Sequence, residues 1–300
     1  MVRVCEEWFP NKEHPEKSGF YMDDQIKMQL DILLKNIKND WDFTCIITGQ
    51  GEVRVGKSMI AMQIACYWAY MIFKLYNKKV PFSCKDNFVF EGKKLIEIGN
   101  KLGQSHPYSP LIYDEAGADL EGRKSMQQQT QDVIDFYREC GQYNLFNILV
   151  LPEFFDLPKG IALSRSIFLI DVYYVADENC IFQRGYLNFF SRRSKKKLYI
   201  YGKKELNYNA TKYDFHARYY KFYPIDEAEY RKEKQDALVR RESKRRSKFL
   251  LQRDALMYLL WSDFHLTQEK IGQKMEALTG IFVPQETVRD ALSHFKIENE

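Results

Sequence analysis

Apolar and polar positions alternate in blocks along the first two thirds of the chain. Short apolar runs of strand length lie at residues 45–48, 87–90, 111–113, 148–151 and 167–172. Apolar residues at helical spacing lie before or between these runs, at residues 23–37, 59–76, 92–102 and 126–140. Strands that alternate with helices indicate βαβ units. The pattern therefore predicts an α/β fold with a mainly parallel sheet and helices on both of its faces.

From residue 180 the pattern becomes aromatic-rich and roughly alternating, at residues 182–190, 198–201 and 213–223. Alternation at period two predicts antiparallel strands that extend the sheet, with basic residues 192–197 at a turn between the first two. Three short helices are predicted at residues 250–261, 267–278 and 285–294. The predicted domains are an N-terminal arm and helix at 1–40, an α/β core with its β extension at 41–225, a charged helical linker at 226–248 and a small all-α domain at 249–300.

The composition is that of an ordinary globular protein, with 45% hydrophobic and 29% charged residues in a chain of 300. Its six cysteines are scattered, and no two form a C-x-x-C pair. This spacing argues against a zinc knuckle or a disulfide framework and fits a reducing compartment. The first ten residues lack the apolar core of a signal peptide. We interpret residues 59–76 as a buried helix, so we expect a cytoplasmic protein without a membrane span.

Positive charge is concentrated in two clusters, although the net charge is only +4. Residues 231–248 hold nine basic and three acidic side chains, and a second basic cluster lies at residues 192–197. Such clusters often bind nucleic acid, but a solvated helix face or turn has the same composition. The candidate DNA contacts in the two clusters are Arg192, Arg193, Lys195, Lys196, Lys197, Arg245 and Arg246.

Residues 49–58 contain the phosphate-loop pattern G-x-x-x-x-G-K-[ST], which begins at Gly51. Glycines let the backbone turn tightly, so that successive N–H groups point at one phosphate. Lys57 adds a positive charge for the outer phosphates, and Ser58 offers a hydroxyl to Mg²⁺. A buried strand precedes the loop, and a helix whose N-terminus attracts anions follows it. We therefore expect ATP and Mg²⁺ as cofactors, with ATP bound by Gly51, Glu52, Val53, Arg54, Val55, Gly56, Lys57, Ser58 and Met59.

Two carboxylates follow the apolar run at residues 111–113. In a phosphate-loop protein the first acid, Asp114, holds Mg²⁺ together with Ser58. The second acid, Glu115, is well placed to orient or deprotonate an attacking water. The pair favours transfer of the phosphoryl group to water, whereas a single acid would suit a kinase or a switch equally well. Lys57 and Glu115 are accordingly candidate catalytic residues.

Residues 137–145, the strand that ends at Leu151, and residues 161–166 resemble the core of the FtsK/HerA class of DNA-pumping ATPases. This class includes viral genome-packaging ATPases, conjugation ATPases and Zot-like proteins. The resemblance implies a RecA-like P-loop NTPase fold and a homo-oligomer, commonly a hexameric ring, that moves duplex DNA. Arg138 matches the arginine of an R-E-x-x-x-Y stretch, which implies an arginine finger acting on the ATP of a neighbouring subunit. Arg165 is the second candidate for this role.

The sequence departs from the pattern of this class at two places. Members often carry a glutamine at the end of the strand after the arginine, as a phosphate sensor, whereas Pro152 stands here and Glu153 follows it. Proline offers no side-chain donor, so the sensor is either absent or supplied elsewhere. The loop between the two glycines also contains Val53 and Val55, whose branched side chains restrict the backbone.

The C-terminal residues 266–272 and 283–292 resemble the two helices of a helix-turn-helix unit. The resemblance places the second of these helices in the DNA major groove. On this interpretation Gln285, Thr287 and Arg289 face DNA, while Val288 packs inward. A bundle that docks a protein partner is the alternative for this domain.

Two functional hypotheses share the same nucleotide site. The first is an ATP-hydrolysing oligomeric motor that translocates or packages DNA, of viral, plasmid or mobile-element type. The alternative is an AAA+-like, nucleotide-dependent DNA-binding loader or regulator in replication, partition or transposition. A motor should form a closed ring and hydrolyse ATP faster on long duplex DNA, whereas a loader should assemble on DNA and pause after one round.

Overall fold

A computed structural model describes residues 1–120 and 128–297, although the side chains of residues 118–119, 128–129, 242–248 and 294–297 are not described. The chain falls into two units, residues 1–233 and residues 234–300. The first unit begins with strands β1 (Val2–Val4) and β2 (Phe20–Met22), which pair antiparallel in a small sheet of their own. Helix α1 (Asp24–Asn36) follows, and the Asp23 carboxylate accepts a hydrogen bond from the Gln25 N–H of its first turn.

Seven strands form the central sheet of the first unit. They are β3 (Phe43–Thr48), β4 (Phe88–Val89), β5 (Pro110–Tyr113), β6 (Phe146–Val150), β7 (Ser166–Ala176), β8 (Phe182–Phe190) and β9 (Phe215–Arg218). Their order is β4-β5-β6-β3-β7-β8-β9. The first five strands of this order pair in parallel, and β8 and β9 add antiparallel. The predicted α/β class, with a mainly parallel sheet and an antiparallel extension, is confirmed.

Helices cover both faces of this sheet. Those between the parallel strands are α2 (Lys57–Tyr76), α3 (Cys84–Asn87), α4 (Gly92–Ser105), α5 (Gly117–Leu120) and α6 (Gln128–Glu139). Alternate strand side chains point to opposite faces because the period of a strand is two. Ile46, Leu111 and Leu149 share one buried cluster with Leu95 of α4 and Val133 of α6. On α2, the Trp68 ring stacks on Phe146 of β6, with ring centroids 4.1 Å apart.

Residues 192–202 form helix α7 (Arg192–Gly202), not a turn followed by a strand. The predicted strand at residues 198–201 is therefore wrong. The buried residues of α7 are Lys195, Leu198, Tyr199 and Gly202, a helical spacing of three and four residues. Lys195 is fully buried, and its ammonium donates hydrogen bonds to the carbonyl and hydroxyl oxygens of Ser166. Lys195 is thus removed from the predicted set of DNA contacts, because a buried ammonium offers no surface charge.

Helix α2 is, among the described residues, the one helix long and apolar enough to cross a membrane by length and composition. Of its most apolar stretch, 61% is buried inside the protein. Its N-terminus joins the phosphate loop, and its side chains pack on the central sheet. These are the properties of a core helix in an α/β fold.

The second unit is helical. It contains most of α8 (Glu227–Ser262), together with α9 (Gln268–Thr279) and α10 (Gln285–Ile297). Helix α8 is continuous where the sequence analysis separated a linker from a first short helix, because no glycine or proline interrupts residues 227–262. A small core holds the three helices together, formed by Met257, Ile271, Val288, Ala291 and Leu292. The inward position predicted for Val288 is confirmed.

Candidate nucleotide-binding site

The phosphate loop connects the end of β3 to the first turn of α2. Four of its residues have a positive φ, namely Gln50 (53°), Gly51 (77°), Arg54 (61°) and Gly56 (106°). Neither Val53 nor Val55 has a positive φ. The loop therefore accommodates its two β-branched residues by placing the left-handed conformations at other positions. Successive backbone N–H groups in such turns form a concave site for an anion.

Two contacts hold the loop in place. The carbonyl of Pro152 accepts hydrogen bonds from the N–H groups of Gly51 at 2.9 Å and Gly49 at 3.4 Å. The Tyr219 hydroxyl donates to the carbonyl of Val55 at 3.0 Å. A Cβ atom at position 56 would lie 2.3 Å from that hydroxyl, so only glycine fits there. Pro152, which offers no polar side chain, thus contributes its backbone carbonyl to the loop.

The first turn of α2 carries the polar groups expected to face the phosphates. The Lys57 ammonium donates to the carbonyl of Glu52, within the loop itself. The Ser58 hydroxyl donates to Asp114 Oδ2 at 3.0 Å. Lys57, Ser58 and Met59 are all partly exposed at the helix N-terminus. The dipole of α2 adds to the attraction for an anion at this end of the helix.

The acid pair lies directly after β5, two strands away from β3. Asp114 is only 2% exposed, and its N–H donates to the carbonyl of Val89 at 2.9 Å. Its Oδ1 accepts the N–H of Glu115 at 3.0 Å. Glu115 is partly buried and has a φ of 63°, a conformation that costs a non-glycine residue on the order of 1–3 kcal/mol. Such strain is typical of functional positions.

Ser58 and Asp114 fit a magnesium ion. Both offer oxygen atoms, which are the ligands that this hard cation prefers. The hydrogen bond between them shows that the fold brings the two donors to one point, although 56 residues separate them in the sequence. These two residues would hold the metal if it binds with the nucleotide.

Tyr230 joins this site from the first turns of α8. Its hydroxyl donates to Asp114 Oδ2, the oxygen that also accepts from Ser58, and the residue is 6% exposed. Tyr230 could not be predicted from the sequence, because it lies 116 residues from its partner, inside a charged segment that matches no motif. No local signal in the sequence identifies it.

A second group of polar side chains lies beside the loop, on β7 opposite the end of β3 and just after the end of β6. Gln50 Nε2 donates to Asp171 Oδ2 at 2.6 Å, and the Tyr208 hydroxyl donates to Glu153 Oε1 at 2.6 Å. Burial raises the pKa of Asp171 to about 7, and the charge of Glu153 adds to this rise while the bond from Gln50 opposes it. Burial also raises the pKa of Glu153. The two acids therefore share a poorly solvated position next to the phosphate loop.

The two arginine candidates differ in exposure. Arg138 lies at the end of α6, with an exposed side chain that pairs with Asp135 at 2.7 Å. Arg165 is partly buried, pairs with Asp42, and donates to the Cys140 sulfur at 3.3 Å. These hydrogen bonds are to residues outside the phosphate loop. Arg138 has the more accessible guanidinium of the two.

The candidate DNA contacts fall on the helices α7, α8 and α10. On α7, Arg192, Arg193 and Lys197 are exposed, and Lys196 is partly exposed. On α10, Gln285 and Arg289 are exposed, and Thr287 is partly exposed. The side chains of Arg245 and Arg246 lie outside the described residues. Contact of any of these residues with DNA remains a prediction.

Comparison with known proteins finds distant structural similarity. No family model matches the chain, and no curated protein matches it. The genome packaging NTPase B204 from Sulfolobus turreted icosahedral virus 2, in complex with sulfate, is 12% identical, with a TM-score of 0.34 over 51% of this chain and 93% of that chain. In complex with ATP-gammaS, the same NTPase is 14% identical, with a TM-score of 0.32 over 51% of this chain and 94% of that chain.

The N-terminal domain of zonular occludens toxin from Neisseria meningitidis is also similar. It is 12% identical, with a TM-score of 0.38 over 60% of this chain and 94% of that chain. The fold assignment for this chain stands on its own geometry, which is a mainly parallel sheet with a phosphate loop between its central strand and α2. The chain has the fold of a P-loop NTPase.

Proposed function

We propose that this protein is a magnesium-dependent ATPase that acts as an oligomeric motor on duplex DNA. One observation carries the ATPase part: the 3.0 Å hydrogen bond between Ser58 Oγ and Asp114 Oδ2. It joins the phosphate-loop helix to the acid pair, as hydrolysis of a bound triphosphate requires. The resemblance of residues 137–166 to DNA-pumping ATPases supports the motor part.

Each group of the site has a distinct role in this proposal. The loop N–H groups and the Lys57 ammonium bind the phosphates, and Ser58 and Asp114 hold Mg²⁺. The metal, when bound, neutralises charge on the phosphate oxygens. Glu115 orients a water molecule toward the terminal phosphate and accepts its proton.

The oligomeric part of the proposal assigns a role to Arg138. Its exposed guanidinium would reach the ATP of a neighbouring subunit in a ring. Rings of the ATPase class that the sequence resembles commonly have six subunits. An arginine supplied in this way stabilises the transition-state charge and is worth about 10³–10⁵ in rate in phosphate-loop enzymes. Its pair with Asp135 is an exposed ion pair, which contributes little and yields easily to a phosphate.

We assign binding of duplex DNA to basic side chains on α7. Arg192, Arg193 and Lys197 are exposed there, and such residues bind phosphates without reading sequence. The helices α9 and α10 would dock on DNA or on a protein partner. The protein would act in the cytoplasm, where ATP and Mg²⁺ are available.

The experiment measures oligomer mass and ATPase rate together, with ATP and Mg²⁺, with and without long duplex DNA. We expect a closed ring and a faster rate on DNA. Glu115→Gln should bind ATP as the wild type does and lose turnover, because only the water-orienting carboxylate is changed. A monomer with a DNA-independent rate would contradict the motor, and a DNA-bound assembly that stops after one round would indicate a loader.

A further inference from the structure

Within the described part of the chain, three hydrogen bonds orient the Asp114 carboxylate. The Glu115 N–H donates to Oδ1, while the hydroxyls of Ser58 and Tyr230 both donate to Oδ2. The terminal torsion of an aspartate is otherwise broad and roughly two-fold. Donors on both oxygens therefore select one orientation of this carboxylate. Two of the three donors belong to the phosphate-loop and acid motifs, and Tyr230 is the third.

The position of Tyr230 is itself well determined. Its ring packs against Phe88 and Phe90 on the β4 side, with ring centroids 5.9 Å away in each case. The start of α8 is held by Asp226 Oδ1, which accepts the N–H groups of Ala228 at 2.7 Å and Glu229 at 2.9 Å. The hydroxyl is thus placed at Asp114 by packing and by a fixed helix start.

We propose that Tyr230 is a positioning residue for the metal-binding carboxylate, whose hydroxyl holds Asp114 in the orientation that magnesium-bound ATP requires. The inference rests on the proposed function, because it gives Tyr230 a role toward the same metal. Residues that orient metal ligands through hydrogen bonds change metal affinity about 10- to 100-fold when they are removed. The first turns of α8 are then part of the nucleotide site.

The test is Tyr230→Phe, which removes the hydroxyl and keeps the ring. A fluorescent, non-hydrolysable ATP analogue is titrated with MgCl₂, and the Mg²⁺ concentration at half-maximal binding is measured. We expect this concentration to rise about tenfold in the variant. Binding of the analogue in EDTA should be unchanged, because the loop and Lys57 are intact.

Tyr67→Phe is the matched control. The Tyr67 hydroxyl also donates to a carboxylate, Asp31 Oδ1 at 2.5 Å, and the residue is 1% exposed, but it joins α2 to α1 away from the acid pair. This variant should keep the wild-type Mg²⁺ dependence. Equal shifts in both variants would show a general loss of stability and overturn the inference.

An unchanged or lowered half-maximal Mg²⁺ concentration in Tyr230→Phe would also overturn it. A wild-type protein that binds the analogue without any Mg²⁺ dependence would have a different meaning. That result would overturn the proposed magnesium site itself, and the role of Tyr230 with it. The wild-type titration thus separates failure of the proposed function from failure of this inference alone.

Discussion

Asp171 is an ionisable residue beside the phosphate loop whose pKa is raised by burial. It is fully buried on β7, opposite the end of β3, and the Gln50 amide donates a hydrogen bond to it. The folded protein holds its proton up to a pH of about 7, whereas the ordinary pKa is 3.8. Between these values the folded state binds more protons than the unfolded chain, so this residue makes stability fall as pH rises.

Asp171→Asn should remove this pH dependence, because asparagine stays neutral and still accepts from Gln50. Relative to the variant, the wild type should lose about 3 kcal/mol of unfolding free energy between pH 5 and pH 8. Urea unfolding of both proteins at the two pH values measures it. The exposed Asp236→Asn is the control for loss of one carboxylate. If the unfolding free energies of the wild type and Asp171→Asn differed by the same amount at both pH values, the proposed titration of buried Asp171 would be contradicted.

At the scale of single residues, the local motifs were predictable and their partners were not. The phosphate loop and the acid pair are contiguous in sequence, so their residue types identify them. Tyr219 reaches Val55 across 164 residues, and Tyr208 reaches Glu153 across 55. A tyrosine of this kind looks like any other core aromatic in the sequence, because its role depends on which chain segments fold together.

Helix α7 occupies residues for which the sequence predicted a turn and a strand, and the reason is physical. The aromatic run at residues 198–201 alternates poorly, while its buried positions repeat every three or four residues from Lys195. The buried face of α7 was hard to recognise in the sequence because it includes Lys195, and lysine is usually a surface residue. Burial lowers the pKa of Lys195 to about 7, with the charges of Arg192 and Lys196 adding to the effect.

The exposed face of α7 provides a test of the proposed DNA contact. Arg193 and Lys197 are four residues apart and share one side of the helix. Arg193→Gln with Lys197→Gln should weaken binding to duplex DNA and lower the slope of log affinity against log salt by about two, because each contact releases about one counterion. Fluorescence anisotropy at several NaCl concentrations measures this slope.

The matched control for α7 is Lys12→Gln with Lys17→Gln, which removes the same charge from an exposed segment of the first unit. This pair should leave the salt slope nearly unchanged. Equal losses of DNA affinity in the two double variants would mean that only net charge matters. No loss of DNA affinity in either double variant would mean that the duplex binds elsewhere.

At the scale of the whole molecule, the order of elements was predictable because strands and helices alternate with clear periods. The strand order was not predictable, since nothing in the sequence places β3 between β6 and β7. The strand order determines where the candidate site lies, because it brings the ends of β3, β5 and β6 to the same edge of the sheet. The loop, the acid pair and the Pro152 carbonyl meet there.

The proposed function depends above all on the binding of ATP phosphates at this edge of the sheet. The direct measurement is the calorimetric affinity for a non-hydrolysable ATP analogue, in wild type and in Lys57→Ala. Lys93→Ala, which removes an exposed lysine from the first turn of α4, is the control. We predict that Lys57→Ala binds about 10- to 100-fold more weakly, since a hydrogen bond to a charged group is worth about 1.5–3 kcal/mol. Equal affinity in the wild type and Lys57→Ala would contradict the account.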